Sequence, residues 1–191
     1  MAIEYLPVSW QTYHAHAQAL AEEILNDGPI DEIVAISRGG LSLGHILSDL
    51  LQIPISTFTI QSYEDIQQQG EVKITAGLQT TIEGKRIVIV DDVADTGKTL
   101  VRAIEHIKDF KPTRTITATM FYKPHSVYKP DFFVEETSKW ILFPTEVVET
   151  ISSMFTRMRK DGSTDAQIES LLHSLGYSPA QIAFVKKFHL K

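Results

Sequence analysis

The chain has 191 residues, 43% of them hydrophobic, and a formal net charge of −6 at pH 7. That length fits one domain, or one domain with a small appendage, and the apolar content excludes general disorder. The absence of cysteine excludes disulfides, thiolate chemistry and cysteine-based zinc sites, and the net acidity argues against a nucleic-acid binder.

The first twenty residues lack the basic start and apolar stretch of a signal peptide. No apolar run approaches the roughly 20 residues of a membrane span. A cytoplasmic protein with no membrane partner is expected. Residues 11–26 place Tyr13, Ala17, Leu20, Ala21, Ile24 and Leu25 on one helical face, and Gly28-Pro29 ends the run. Glu32–Ser37 reads as a short apolar strand. Gly39-Gly40 then opens a helix with Leu43, Ile46, Leu47, Leu50 and Leu51 inward. Pro54–Gln61 alternates as a strand does.

Residues 62–80 are polar and show no clear period, which predicts a long functional loop. Strand Arg86–Asp91 follows, then a turn and a helix with Leu100, Val101, Ile104 and Ile107 inward, then strand Thr115–Tyr122. This alternation predicts an α/β fold with a central parallel sheet flanked by helices. Ligands in such sheets bind where strands end and helices begin, here at Arg38–Gly40, Asp91–Thr99 and Lys123-Pro124. Beyond residue 150 two capping boxes, Thr164…Gln167 and Ser178…Gln181, predict short helices, with Gly176 ending the helix between them. The expected organisation is a 1–150 domain followed by a 151–191 helical extension.

Residues 88–99 (VIVDDVADTGKT) carry the densest chemistry. Apolar β-formers lead into Asp91 and Asp92, then Ala94 and a third carboxylate, Asp95, then Thr96-Gly97-Lys98-Thr99 at a helix start. The amides of Thr96–Thr99 and the helix dipole make an anion cradle. Carboxylates beside such a cradle repel a ligand unless they meet hydroxyls or a metal, and a sugar phosphate with Mg²⁺ supplies both. A nucleotide P-loop requires glycine where Asp92 stands, and Gly39, Gly40 and Gly44 do not match the dinucleotide fingerprint. His14 and His16, two apart, fall on different helical faces, so no histidine metal site is expected. A helix cap accounts for Asp95-Thr96-Gly97 alone but not for three carboxylates at a strand end.

At this string the chain resembles the type I phosphoribosyltransferases. Further motifs are similar to the 6-oxopurine branch of that family, most closely its bacterial xanthine-guanine enzymes. They are Tyr5…Trp10…His16-Ala17, Ile36-Ser-Arg-Gly-Gly-Leu41, Ser62-Tyr63, Phe121-Tyr-Lys-Pro124 and Trp140-Ile-Leu-Phe-Pro144. The resemblance covers roughly residues 1–150. It implies a purine salvage enzyme joining a purine base to 5-phosphoribosyl-1-pyrophosphate (PRPP) with Mg²⁺, in a homodimer or homotetramer.

It also implies roles. Asp91 and Asp92 hold the ribose hydroxyls, directly or through metal. Asp95 lies near the purine N7 as general acid/base, Thr96–Thr99 wrap the 5′-phosphate, and Ala94 belongs to the same PRPP-binding set. Arg38, Gly39 and Gly40 face pyrophosphate. Lys123 donates to the purine O6, Trp140 and Ile141 meet the ring, and Ser62 and Tyr63 close over the site. Lys98 departs from the pattern, since relatives often have glycine there. So does Thr145, where a tryptophan often follows the proline. The alternatives are a PRPP-sensing regulator of the same fold and a transferase for another base.

Overall fold

The computed structural model describes residues 3–65 and 68–190, with the side chains of 62–72 left out. In chain order the elements are β1 (Tyr5–Pro7), α1 (Trp10–Asp27), β2 (Glu32–Ser37), α2 (Gly39–Leu51), β3 (Ile55–Asp65), β4 (Gln68–Ala76) and β5 (Arg86–Ala94). There follow α3 (Lys98–Lys108), β6 (Arg114–Tyr122), β7 (Phe132–Glu136), β8 (Trp140–Leu142), α4 (Val147–Lys160), α5 (Asp165–Ser174) and α6 (Pro179–Phe188). Two compact units result: His14–Ser138, and Met1–Tyr13 with Lys139–Lys191. Among the described residues no helix is long and apolar enough to cross a membrane.

The unit His14–Ser138 is built on a six-stranded sheet ordered β4-β3-β2-β5-β6-β7. Every neighbouring pair is parallel except β3 with β4. The centre is β2 beside β5, with Ile33, Val34 and Ala35 opposite Val88, Ile89 and Val90 in the buried interior. Strands covered on both faces read as unbroken apolar runs, as these do. On one face Val34, Ile36, Ile87 and Ile89 pack with Leu100, Ala103 and Ile107 of α3. On the other, α2 lies so close that a Cβ on Gly44 would stand 2.9 Å from that of Ala35 and 3.4 Å from Val90 Cγ2. The parallel α/β sheet expected from the alternation is present.

The segment expected as a loop over 62–80 is instead largely β-structure. Strand β3 runs on to Asp65, and β4 returns antiparallel with Ile60 opposite Ile74 and Thr59 opposite Ala76. The β3–β4 register shifts between Thr59 and Ile60 and again between Tyr63 and Asp65, which breaks the alternation a strand would show. Beyond β4, Leu78 and Ile82 are buried in the α3-side core. Two helix positions also differ from expectation. Leu25 is 58% exposed and Val101 36% exposed, each at the margin of the stripe its helix buries. Strand β7, which the sequence reading did not anticipate, extends the sheet beside β6.

In the other unit β1 pairs in parallel with β8, Tyr5 opposite Trp140 and Leu6 opposite Ile141. Leu142 joins Ile151, Met154, Phe155, Ile168, Leu172, Ile182 and Val185 in a separate core shared with α4, α5 and α6. Both expected capping boxes form. Thr164 N donates to Gln167 Oε1 at 2.8 Å while Gln167 N donates to Thr164 Oγ1 at 3.3 Å, and Ser178 with Gln181 repeats the pattern. Gly176, at φ +95°, closes the turn after α5. Thr164→Ala removes one acceptor from orphan helix amides and should lower stability by about 1 kcal/mol, read as a urea midpoint, with Thr164→Ser restoring it.

Candidate functional site

Three strand ends converge on one edge of the sheet. β2 ends at Ser37 and passes through Arg38 into Gly39-Gly40, the first residues of α2, with a cis peptide between Ser37 and Arg38. β5 ends at Ala94, β6 at Tyr122, and these three strands lie side by side. The site residues expected from 38–40, 91–99 and 123 are therefore brought together by topology.

The contact between α2 and β5 is close. A Cβ on Gly40 would stand 2.2 Å from the Val90 carbonyl oxygen. A Cβ on Gly39 would stand 2.6 Å from both Asp91 Oδ1 and Asp92 Oδ1. At Gly40 the clash is with backbone and admits no side chain, and at Gly39 a side chain would have to displace both carboxylates. Asp91 and Asp92 are buried, and Asp92 N donates to Asp91 Oδ1 at 3.0 Å. Their carboxylates thus sit against the N-terminus of a thirteen-residue helix, where the helix dipole favours negative charge. Both oxygens converge on the same side, a donor set suited to a hard cation that takes one or two carboxylates.

The turn from Asp95 to Gly97 leads into α3, whose N-cap is Gly97 at φ +78°. The first-turn amides of such a helix have no partners within the helix and point outward. Thr96 and Lys98 are exposed, Thr99 is half-buried, and Lys98 N reaches Thr96 Oγ1 at 3.4 Å. Arg38 is exposed at the start of α2.

The turn after β6 is fastened to the turn after β5. Lys123 N donates to Ala94 O and Val127 N donates to Thr96 O, each at 3.0 Å. A Cβ on Gly97 would meet Ser126 Oγ at 2.4 Å and Tyr128 N at 2.7 Å. Lys123 is 7% exposed. Burial lowers its ammonium below the ordinary 10.5, while the nearby Asp95 carboxylate acts in the opposite direction. The folded chain therefore releases this proton at lower pH than the unfolded one, and stability rises with pH through that window.

His125, which sequence reasoning missed, faces Asp95 with Nε2 2.9 Å from Oδ1. Its only signal was its place two residues beyond Lys123 at a strand end. Trp140 and Ile141 belong to the unit with β1 and β8. There Trp140 is 57% exposed and Ile141 is 8% exposed. Ser62 and Tyr63 lie on the backbone of β3 opposite Val72 and Glu71. Their side chains fall outside the described residues.

The phosphoribosyl transferase domain matches residues 9–150. The chain is similar to the purine phosphoribosyltransferase of Pyrococcus horikoshii Ot3, with 34% identity over 73% of this chain and 92% of that one, at a TM-score of 0.68. Similarity to the xanthine-guanine-hypoxanthine phosphoribosyltransferase of Helicobacter pylori is 25% over 80% and 99%, also at a TM-score of 0.68. A Neisseria gonorrhoeae protein with bound ppGpp shares the fold at a TM-score of 0.69 and 22% identity, over 85% of this chain and 99% of that one.

Gly97→Ala tests the joint between the two turns. The left-handed backbone and the contacts to Ser126 and Tyr128 should together lower stability by about 2 kcal/mol or more in urea denaturation.

Proposed function

Because the chain belongs to the phosphoribosyl transferase domain family, we propose that it carries out purine salvage, joining guanine, xanthine or hypoxanthine to PRPP. The products are the nucleoside 5′-monophosphate and pyrophosphate. The observation that carries this reading is the convergence at one sheet edge of two buried carboxylates, a second open helix N-terminus and a buried lysine. A phosphate for the amides of 96–99, ribose hydroxyls for Asp91 and Asp92, and a carbonyl oxygen for Lys123 satisfy all three together.

The reaction balances within these groups. The bond from ribose C1′ to the pyrophosphate oxygen breaks and its electron pair leaves with pyrophosphate. A ring nitrogen of the base forms the new bond to C1′, and the proton the ring sheds passes to the Asp95 carboxylate. Asp91 and Asp92 fit Mg²⁺, which when bound offsets the charge of the phosphates. Arg38 and the amides of Gly39 and Gly40 stabilise the leaving pyrophosphate, and Ala94 with Thr96–Thr99 encloses the 5′-phosphate. Lys98 adds a cation at that rim.

Lys123 is a donor held in a place poor in water, so it favours an O6 carbonyl and leaves the amino group of adenine without an acceptor. Trp140 and Ile141 are assigned to the base, and Ser62 and Tyr63 to covering the reacting centre. The 151–191 helices are assigned as an extension to a 1–150 transferase region, and the active form as a homodimer or homotetramer.

Incubation with PRPP, Mg²⁺ and a panel of guanine, xanthine, hypoxanthine, adenine and orotate should give a nucleotide from a 6-oxopurine. PRPP binding with no nucleotide from any base would overturn the enzymatic reading. Asp95→Asn should lower kcat by about 100-fold or more while PRPP still binds. Lys123→Ala should lower kcat/KM for the preferred 6-oxopurine by about 10- to 100-fold, the size of a lost hydrogen bond to a charged donor.

A further inference from the structure

We infer that His125 is a positioning residue for Asp95, holding one carboxylate oxygen so that the other is aimed at the ring nitrogen of the base. This rests on the acid/base role proposed for Asp95, and it assigns a residue that neither the motifs nor the resemblance pointed to.

The geometry is specific. His125 Nε2 lies 2.9 Å from Asp95 Oδ1. An ionised carboxylate only accepts hydrogen bonds, so the imidazole donates through Nε2–H and its tautomer is fixed by the contact. Both side chains are largely exposed, Asp95 at 60% and His125 at 62%. A pair between two freely rotating surface chains would contribute little.

Here the backbones, rather than the rotamers, set the pairing. On one side of Asp95, Ala94 O accepts from Lys123 N, and on the other Thr96 O accepts from Val127 N. His125 lies midway between those two donors on a turn closed by Ser126 N to Lys123 O at 2.9 Å. Gly97 lies against Ser126 and Tyr128 with no room for a side chain, which locks the same joint from the α3 end. The Asp95 and His125 backbones are thus held opposite each other by two hydrogen bonds that flank them.

The chemistry gives the contact a use. A carboxylate on an exposed turn rotates about its side-chain torsions, and a base catalyst that is out of line by an ångström loses much of its rate. Lys123, a buried ammonium, acts on Asp95 through its charge, whereas His125 meets the carboxylate at hydrogen-bond distance. His125 is therefore the group whose contact sets the direction of the Asp95 carboxylate. The division places Asp95 Oδ1 on the imidazole and Oδ2 on the ring nitrogen.

Steady-state kinetics of His125→Ala and His125→Gln decide the role. The alanine variant should lose about tenfold in kcat with KM for base and PRPP within about twofold of the wild type. Glutamine keeps an N–H donor and should recover half or more of the lost rate. In the double variant with Asp95→Asn, removing His125 should cost nothing further. Unchanged kcat in His125→Ala, a glutamine variant as slow as alanine, or full additivity with Asp95→Asn would each overturn the inference.

A second readout does not depend on turnover. ¹⁵N NMR of the labelled full-length chain should show the His125 ring in the Nε2–H tautomer, with the Nε2 signal moving on Asp95→Ala. If the wild-type chain makes no nucleotide from any base, the proposed function fails and this spectrum alone decides the pairing. An Nε2 signal unmoved by Asp95→Ala then overturns the inference as well.

Discussion

The functional end of this fold depends on how closely the first turn of α2 lies against the end of β5. Gly40 leaves no space for a side chain before the Val90 carbonyl, and Gly39 leaves none before the carboxylates of Asp91 and Asp92. Burying two adjacent carboxylates at the end of an apolar strand is costly in isolation, since each loses its hydration. The helix N-terminus opposes that cost with a positive dipole end directed at both. A side chain at residue 39 or 40 would push the helix back, weakening the compensation and opening the carboxylates to water at once.

Two helix N-termini therefore serve different ends. That of α2 lies against the chain's own acids and is assigned to the leaving pyrophosphate, while that of α3, behind the Thr96–Gly97 turn, is assigned to the 5′-phosphate. Under the proposed function, this separation lets a chain with net charge −6 accept a polyanionic donor. Global charge acts over a distance that salt screens, whereas amides at a helix end act at contact. In the proposed reaction the acids are then not a barrier to the phosphates but the part of the site assigned to hydroxyls and metal.

The sheet and most of the turns that carry the site were legible in the sequence because each has a local signature. Apolar strands such as Ile87–Val90 end in residues that cannot continue the core, and glycine at 39, 40 and 97 marks close approach. The capping boxes at Thr164 and Ser178 were legible for the same reason, since their whole chemistry lies within four residues. The β3–β4 hairpin was not, because its irregular register hides the alternation by which a strand is recognised. His125 was not, because its meaning lies thirty residues away at Asp95, and no local pattern distinguishes it from a surface histidine. Leu25 and Val101 show the matching error in helices, where periodicity finds the buried stripe but not its width.

The joint between the turns after β5 and β6 makes the two turns, assigned to the phosphate and the base, mechanically one unit. The amide of Lys123 is bonded to Ala94, immediately before Asp95, and the amide of Val127 to Thr96, immediately before Gly97. A movement of the phosphate turn must therefore carry Lys123 and His125 with it or break two backbone hydrogen bonds, each with a net worth of about 1 kcal/mol. Gly97 adds a steric stop, since Ser126 and Tyr128 already fill the space a side chain would take. Asp95, Lys123 and the first turn of α3 are hence held at one spacing by the chain itself. In the proposed reaction that spacing is what a transfer between base and ribose requires, because both reactants must meet at a single carbon.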